Sequence, residues 1–244
     1  MQNVPEQSGC EASGSNASLH EQAIAENGME AYAQEDRAAG YASKYQRSLG
    51  RRFTNWLEQR ALRRALREAE VGPEDVVIDC PCGAGRMIPL ILERTRHAFG
   101  ADASAAMVEV ARRAVGADRG SPAVEWAVAP VGRLPYPDQK FDVSICWRLL
   151  HHIPEGEDRR QALRSLRRVT RRCLITTYSD AKAIKGRLRT WRGKVGGRQS
   201  VIDPQTFAED ARAAGWQIRS SHRLLSVSSL LCIVVLEPLA GFLP

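Results

Sequence analysis

The segment Val76-Val77-Ile78-Asp79-Cys80-Pro81-Cys82-Gly83-Ala84-Gly85-Arg86 limits the possible folds of this chain more than any other. Its opening apolar run, Val76 to Ile78, suits a strand covered on both faces, because β-branched side chains pack well on a buried pleat. An acid, a proline-containing turn and two glycines follow. Arg86-Met87-Ile88-Pro89-Leu90-Ile91-Leu92-Glu93 then resumes at helical spacing, with Pro89 in the first turn, where a missing N–H costs little. Strand, glycine turn and helix N-terminus together predict a ligand seat. The glycines let the backbone approach a bound molecule, and the helix end offers unpaired N–H groups. A dinucleotide fingerprint would need G-x-G-x-x-G, and the third position, counted from Gly83, is Ile88. That reading fails.

Three further segments carry the argument. His97-Ala98-Phe99-Gly100-Ala101-Asp102-Ala103-Ser104 predicts a second strand ending at Asp102, with Ser104 opening a helix. An acid there can accept both hydroxyls of a cis-diol, as in Rossmann-like folds; the plainer alternative is an acid in a helix first turn. Leu134-Pro135-Tyr136-Pro137-Asp138-Gln139-Lys140-Phe141-Asp142-Val143 reads as a proline-stiffened loop delivering a central strand, Val143 to Cys146. Trp147-Arg148-Leu149-Leu150-His151-His152-Ile153-Pro154 follows at that strand's carboxyl end, where open α/β sheets bind ligands.

Together these segments resemble the class I S-adenosylmethionine-dependent methyltransferases. The first matches that family's D-x-G-x-G-x-G, with Asp79 as the acid, Pro81 in place of the first glycine, and Gly83 and Gly85 as the next two. Gly100, Asp102, Ser104 and Met107 match G-x-D-x-S-x-x-M, residues 134–142 match L-P-F-P-D-x-x-F-D, and Leu150 to Ile153 match L-H-H-I. The resemblance covers roughly residues 72 to 237. It implies a Rossmann-like α/β fold: a seven-stranded, mostly parallel sheet with helices on both faces and an antiparallel C-terminal strand. It implies S-adenosyl-L-methionine as cofactor, with Asp79 supporting the methionine end, Gly83 and Gly85 admitting the molecule, and Asp102 holding the ribose. Pro81, Arg86, Val131 and Trp147 complete the expected cofactor set; Pro130 stands where the family usually has an adenine-binding Asp. Tyr41 or Tyr45 is the candidate for a tyrosine laid over the cofactor, with core packing as the alternative. His151 or His152 is the candidate general base, with loop packing as the alternative. No metal is expected, since the histidine pair lacks a carboxylate cluster nearby.

At 244 residues, with 43% hydrophobic and 26% charged residues, the chain is long enough for one α/β domain plus extensions. No run of about 18 apolar residues and no signal peptide is visible. Six scattered cysteines without zinc-finger spacing predict reduced thiols. These features predict a cytoplasmic protein, with peripheral membrane attachment as the alternative. Residues 1–27 read as a disordered acidic tail, 28–71 as a helical cap, and 72–244 as the main domain with a basic insertion at 180–200. In the cap, Phe53, Trp56, Leu57, Ala61, Leu62, Ala65, Leu66 and Ala69 predict one apolar helix stripe, stopped by Gly72-Pro73. Between Arg159 and Arg198 fourteen basic residues face one acid, Asp180, which suggests an anionic partner or a solvated basic face. Methyl transfer to a small-molecule or lipid-headgroup acceptor is the favoured expectation, with an anionic membrane surface as a candidate partner. The rivals are an RNA methyltransferase and a non-catalytic binding subunit of the same fold. Oligomeric state is open.

Overall fold

The computed structural model describes residues 49–116, 124–183, 201–224 and 230–242. The predicted tail, Tyr41, Tyr45 and most of the basic insertion lie outside the described residues. The elements run α1 (Leu49–Glu68), β1 (Val76–Asp79), α2 (Ile88–Leu92), β2 (His97–Asp102), α3 (Ala105–Gly116), β3 (Val124–Val128) and β4 (Phe141–Cys146). A 3₁₀ turn (Leu150–His152), α4 (Gly156–Val169), β5 (Thr170–Ser179), α5 (Pro204–Ala213), β6 (Trp216–Arg223) and β7 (Leu231–Pro238) follow. One sheet of seven strands forms in the order β3-β2-β1-β4-β5-β7-β6. The first five strands pair in parallel, and β7 lies antiparallel to both β5 and β6. The expected Rossmann-like sheet is therefore present, with its order reversing between β1 and β4.

Strand side chains alternate between two cores. Ile78, Leu174, Cys232, Val234 and Leu236 face one core, which α4 and α5 cover through Leu163, Leu166, Phe207 and Ala211. Val77, Val143, Ile145, Ile175, Ile233 and Val235 face the other, where α1 and α2 supply Leu62, Leu66, Ile88 and Ile91. Period-two alternation with both faces apolar explains why these strands read as continuous hydrophobic runs.

Three sequence expectations change. The apolar stripe of α1 is buried only in its second half: Leu62, Ala65 and Leu66 are covered, but Phe53 and Trp56 are 56% and 51% exposed and stack on each other. Helix α1 also ends before Gly72. Glu70 takes a left-handed φ of 53°, and the Val71 N–H donates back to the Leu66 carbonyl, closing the helix end. Helix α2 is only five residues long, so the turn before it, and not a long helix terminus, forms the seat.

The excess of arginine on α4 is largely paired within the fold. Arg159 and Arg160 bind Asp210, and Arg160 and Arg164 bind Glu157. Arg168, Arg171 and Arg172 bind Asp138, Asp142 and Asp75. Buried Asp180 accepts from Arg223 and from the Lys182 N–H. The Ala181 N–H donates to the Ile202 carbonyl, and the Ile202 N–H to the Ser179 carbonyl, so the two ends of the basic insertion meet. Lys182, at its base, pairs with Asp203, the N-cap of α5.

Gly100 shows how packing dictates one motif residue. It lies opposite Trp126 in the β2–β3 pairing, and a Cβ at Gly100 would sit 2.4 Å from the indole ring. Gly100→Ala should destabilise the fold by about 1–3 kcal/mol, the scale of overpacking. Adding Trp126→Leu should recover part of that loss, because neighbouring sites are not additive. Urea unfolding of the three variants checks both expectations.

Candidate active site

The turn after β1 is stitched to its neighbours through its backbone. The Cys80 N–H donates to the Ile145 carbonyl at the end of β4, and the Cys82 N–H to the Ala101 carbonyl in β2. Asp102 completes the stitching: its Oδ2 accepts from the Gly83 N–H and its Oδ1 from the Ser104 N–H, both at 2.9 Å. Ser104 in turn caps α3 by accepting from the Met107 N–H at 3.3 Å. Asp102 thus accepts from both the turn and the start of the next helix. It orders the turn and the start of α3, while each oxygen keeps a lone pair for a further donor. The Cys80–Pro81 bond is cis within this turn.

The two motif glycines do different work. Both have left-handed φ values, 52° at Gly83 and 73° at Gly85. A Cβ at Gly85 would sit 3.0 Å from Ala111, so Gly85 lets α3 pack against the turn and does not itself open a space for ligand. A Cβ at Gly83 would meet nothing within 4 Å. Gly83 lies on the open side.

Beside it, Asp79 is 1% exposed, and neither of its carboxyl oxygens has a hydrogen-bond partner. Burial drives its pKa up to about 8, partly opposed by the Arg86 charge and reinforced by Asp102. A buried polar group without a partner costs about 1–3 kcal/mol, and in native proteins it calls for a donor from elsewhere. An orphaned carboxyl beside an open glycine turn fits a ligand carrying a cationic N–H donor. The methionine ammonium of S-adenosylmethionine is such a donor, and Asp102 is hydrogen-bonded to the Gly83 N–H of the same turn. Burial also raises the neighbouring thiols, Cys146 to about 12 and Cys80 and Cys82 further, so they are neutral packing groups and not nucleophiles.

The strand β4 delivers the second wall. Trp147 is buried, and its indole N–H points to Glu58 of α1 at 3.4 Å. Arg148 adopts a left-handed φ of 61°, held by its N–H on the Thr177 hydroxyl at 2.8 Å. His151 is 1% exposed, whereas His152 is exposed, and their rings lie 4.3 Å apart. Arg159 fixes the chain just beyond them by donating to the Ile153 and Pro154 carbonyls while pairing with Asp210. Val131 is buried, in a segment tied to Asp102 by the Ala129 N–H on the Asp102 carbonyl. Tyr41 falls outside the described residues. Among the described residues no group of three or more His, Cys, Asp or Glu is placed to hold a metal ion.

Sequence reasoning missed Glu58, Asn55 and Thr177. Glu58 is completely buried and accepts from Arg86 at 2.6 Å and from Arg148 at 2.7 Å. Asn55 accepts from the other Arg86 nitrogen at 2.6 Å. One signal was legible: Glu58 falls on the buried face of α1 with Leu62 and Ala65, at the i, i+4, i+7 spacing of apolar positions.

The titration of Asp79 gives a stability signature. Its folded pKa lies above the ordinary value of 3.8, so between about pH 4 and pH 8 the folded state holds a proton that the unfolded chain releases. The ligand-free protein should therefore lose stability as pH rises through that window, by at most about 1.4 kcal/mol per pH unit from this group. Asp79→Asn should remove this slope, which urea unfolding at pH 5 to 8 measures. Equal slopes in both proteins would show that Asp79 is ionised when folded.

Residues 77–172 match the family model described as a methyltransferase domain. Two relatives match over part of their length. An uncharacterized methyltransferase of Bacillus subtilis, YcgJ, is 31% identical over 104 residues, 43% of this chain and 40% of its own length. The 2-phytyl-1,4-naphtoquinone methyltransferase of Trichormus variabilis is 29% identical over 108 residues, 43% of this chain and 46% of its own. The chain thus spans less than half the length of the curated relatives it matches. Among solved structures, magnesium protoporphyrin IX methyltransferase from Synechocystis, with bound SAH, superposes with a TM-score of 0.66 at 19% identity. That likeness covers 78% of this chain and 88% of the other, and at such identity it speaks for the fold. Residues 77–172 thus match a methyltransferase domain, and they sit within the strand order expected of the class I methyltransferase fold.

Proposed function

We propose that this chain transfers the methyl group of S-adenosyl-L-methionine to a small-molecule or lipid-like acceptor. The observation that carries the reading is the orphaned Asp79 carboxyl beside the open Gly83 turn. The bound cofactor supplies an electrophilic methyl on a sulfonium, so the chemistry needs alignment for in-line displacement and no metal. Asp79 accepts from the methionine ammonium and ionises as it does so. Asp102 uses its remaining lone pairs for the ribose hydroxyls. The buried wall of Trp147, Cys80 and Cys146 keeps water from that end of the site. His151 or His152, at the carboxyl end of β4, takes a proton from the acceptor where its nucleophile requires one.

The acceptor class rests on the relatives: one is named for a phytyl naphthoquinone and one solved neighbour for a porphyrin, both small ring systems. Against RNA as acceptor stands the pairing of the α4 and β5 arginines with carboxylates, which leaves fewer of them to phosphates. A carboxylated or phosphorylated acceptor, or one reached at an anionic membrane surface, would engage the basic segment at 184–200, and that segment lies outside the described residues. A place in the cytoplasm, free or peripheral at a membrane, is part of the same proposal; among the described residues no helix is long and apolar enough to cross a membrane.

Calorimetric titration with S-adenosylmethionine and its demethylated product, then an acceptor screen with labelled donor, tests the reading. Affinity should rise about tenfold per pH unit below about 8 and level off above it, because Asp79 must lose its proton. Asp102→Asn should weaken binding by tenfold or more, the scale of hydrogen bonds to a charged acceptor. Asparagine at the base position, 151 or 152, should lower turnover by about 10²–10⁴ with cofactor affinity unchanged. No heat of binding with either nucleoside would overturn the proposal in favour of a binding subunit.

A further inference from the structure

The cofactor site is walled by elements of the methyltransferase domain, but one of its charged contacts comes from elsewhere. Helix α1 lies wholly before residue 77, where the family match begins. Its Glu58 is 0% exposed, a burial that ionised carboxylates tolerate only when their oxygens are satisfied. Here both are. Oε2 accepts from Arg86 Nη2 at 2.6 Å and lies 3.4 Å from the Trp147 indole nitrogen, and Oε1 accepts from Arg148 Nη1 at 2.7 Å. Asn55, three residues earlier and on the same helix face, accepts from Arg86 Nη1 at 2.6 Å. The guanidinium of Arg86 is therefore gripped at both terminal nitrogens by one helix.

What the grip holds is a pair of loops. Arg86 directly follows Gly85 in the turn after β1, and Trp147 and Arg148 directly follow β4. The strands β1 and β4 are hydrogen-bonded neighbours, and their carboxyl ends flank the point where the strand order reverses. Two guanidinium groups brought together there would repel without an anion between them. Glu58 is that anion. Arg86 is also the cation whose field opposes the burial of Asp79, so fixing Arg86 fixes the electrostatics of the orphaned carboxyl.

We infer that Glu58 is a positioning residue for the cofactor: from α1 it clamps Arg86 and Arg148, and so holds the two loops that form the methionine end of the site. This rests on the proposed use of S-adenosylmethionine. It makes α1 part of the binding site, although α1 lies outside the matched domain. Removing the carboxylate unties Arg148 from Arg86 and from α1, and leaves Asn55 as the α1 contact of Arg86. The turn at Gly83 and the Trp147 wall then lose their fixed separation. The field at Asp79 also becomes more positive, because the Glu58 charge no longer offsets that of Arg86.

Glu58→Gln tests the inference, since glutamine keeps the shape and turns one acceptor into a donor that faces a guanidinium. Calorimetry should show the dissociation constant for S-adenosylmethionine raised at least tenfold. The pH at which affinity levels off should fall below the wild-type value, because Arg86 without the Glu58 charge beside it stabilises ionised Asp79 more strongly. A merely structural glutamate would leave that pH unmoved. Thermal unfolding without cofactor supplies a second measurement: Glu58→Ala and Arg86→Ala should be strongly non-additive, with at least a tenfold coupling in the unfolding constant. A folded Glu58→Gln variant that binds within twofold of wild type and keeps the same levelling pH would overturn the clamp alone. Additive effects in the unfolding cycle would do the same. Failure of the wild type to bind the cofactor would overturn the functional reading and the clamp with it.

Discussion

Everything at the working edge of this molecule depends on how the chain leaves β1. Within six residues it must pass from the centre of a sheet covered on both faces to a solvent-facing turn, and no backbone group may be abandoned on the way. The solution is lateral. Cys80 bonds across to β4, Cys82 to β2, and Gly83 to the Asp102 side chain at the end of β2. The turn is thereby suspended between both neighbours of its own strand. One side chain is left out of this economy, Asp79, whose two buried carboxyl oxygens have no hydrogen-bond partner.

The charges around this edge divide by environment. Exposed ion pairs along α4 and β5 lie within one helix or between segments already packed, and such pairs contribute little each. Two buried anions matter more for geometry. Asp210 holds Arg159, which anchors the chain after the histidines, and Glu58 holds the arginines after β1 and β4. Buried pairs of this sort are weak evidence for stability, but losing one partner is costly, so they fix positions.

Much of the architecture was legible because the strands repeat a single physical rule. Runs such as Val76 to Ile78 and Cys232 to Leu236 are apolar on both faces, and only a covered parallel or central strand tolerates that. Asp102 was legible as the acid that ends β2, and its side chain accepts from the Gly83 and Ser104 N–H groups. The rest was hidden for identifiable reasons. Gly85 and Gly83 look alike in sequence, and only the approach of Ala111 separates them. Phe53 and Trp56 extend the periodicity of α1, yet that helix runs past the core that would cover them. Glu58 pairs with residues 28 and 90 positions away, a separation no local pattern encodes. The arginine-rich stretch read as an anion-binding or solvated basic face because, Glu157 apart, its acids lie far off in sequence, at Asp75, Asp138, Asp142 and Asp210.

The closure of the chain around Asp180 and Ile202 bears on how such a protein can change. Residues 179–181 and 202 already hydrogen-bond to one another, and Arg223 locks the corner from β6. A segment spliced between two points that touch imposes no displacement on the elements beyond them. Its entropic burden grows only with the logarithm of its length, about 0.6 kcal/mol for each doubling. Lengthening, shortening or recomposing that segment therefore leaves the sheet and the β1 turn untouched. Descent with modification has here a free variable: the segment can change in length and charge while the β1 turn stays still.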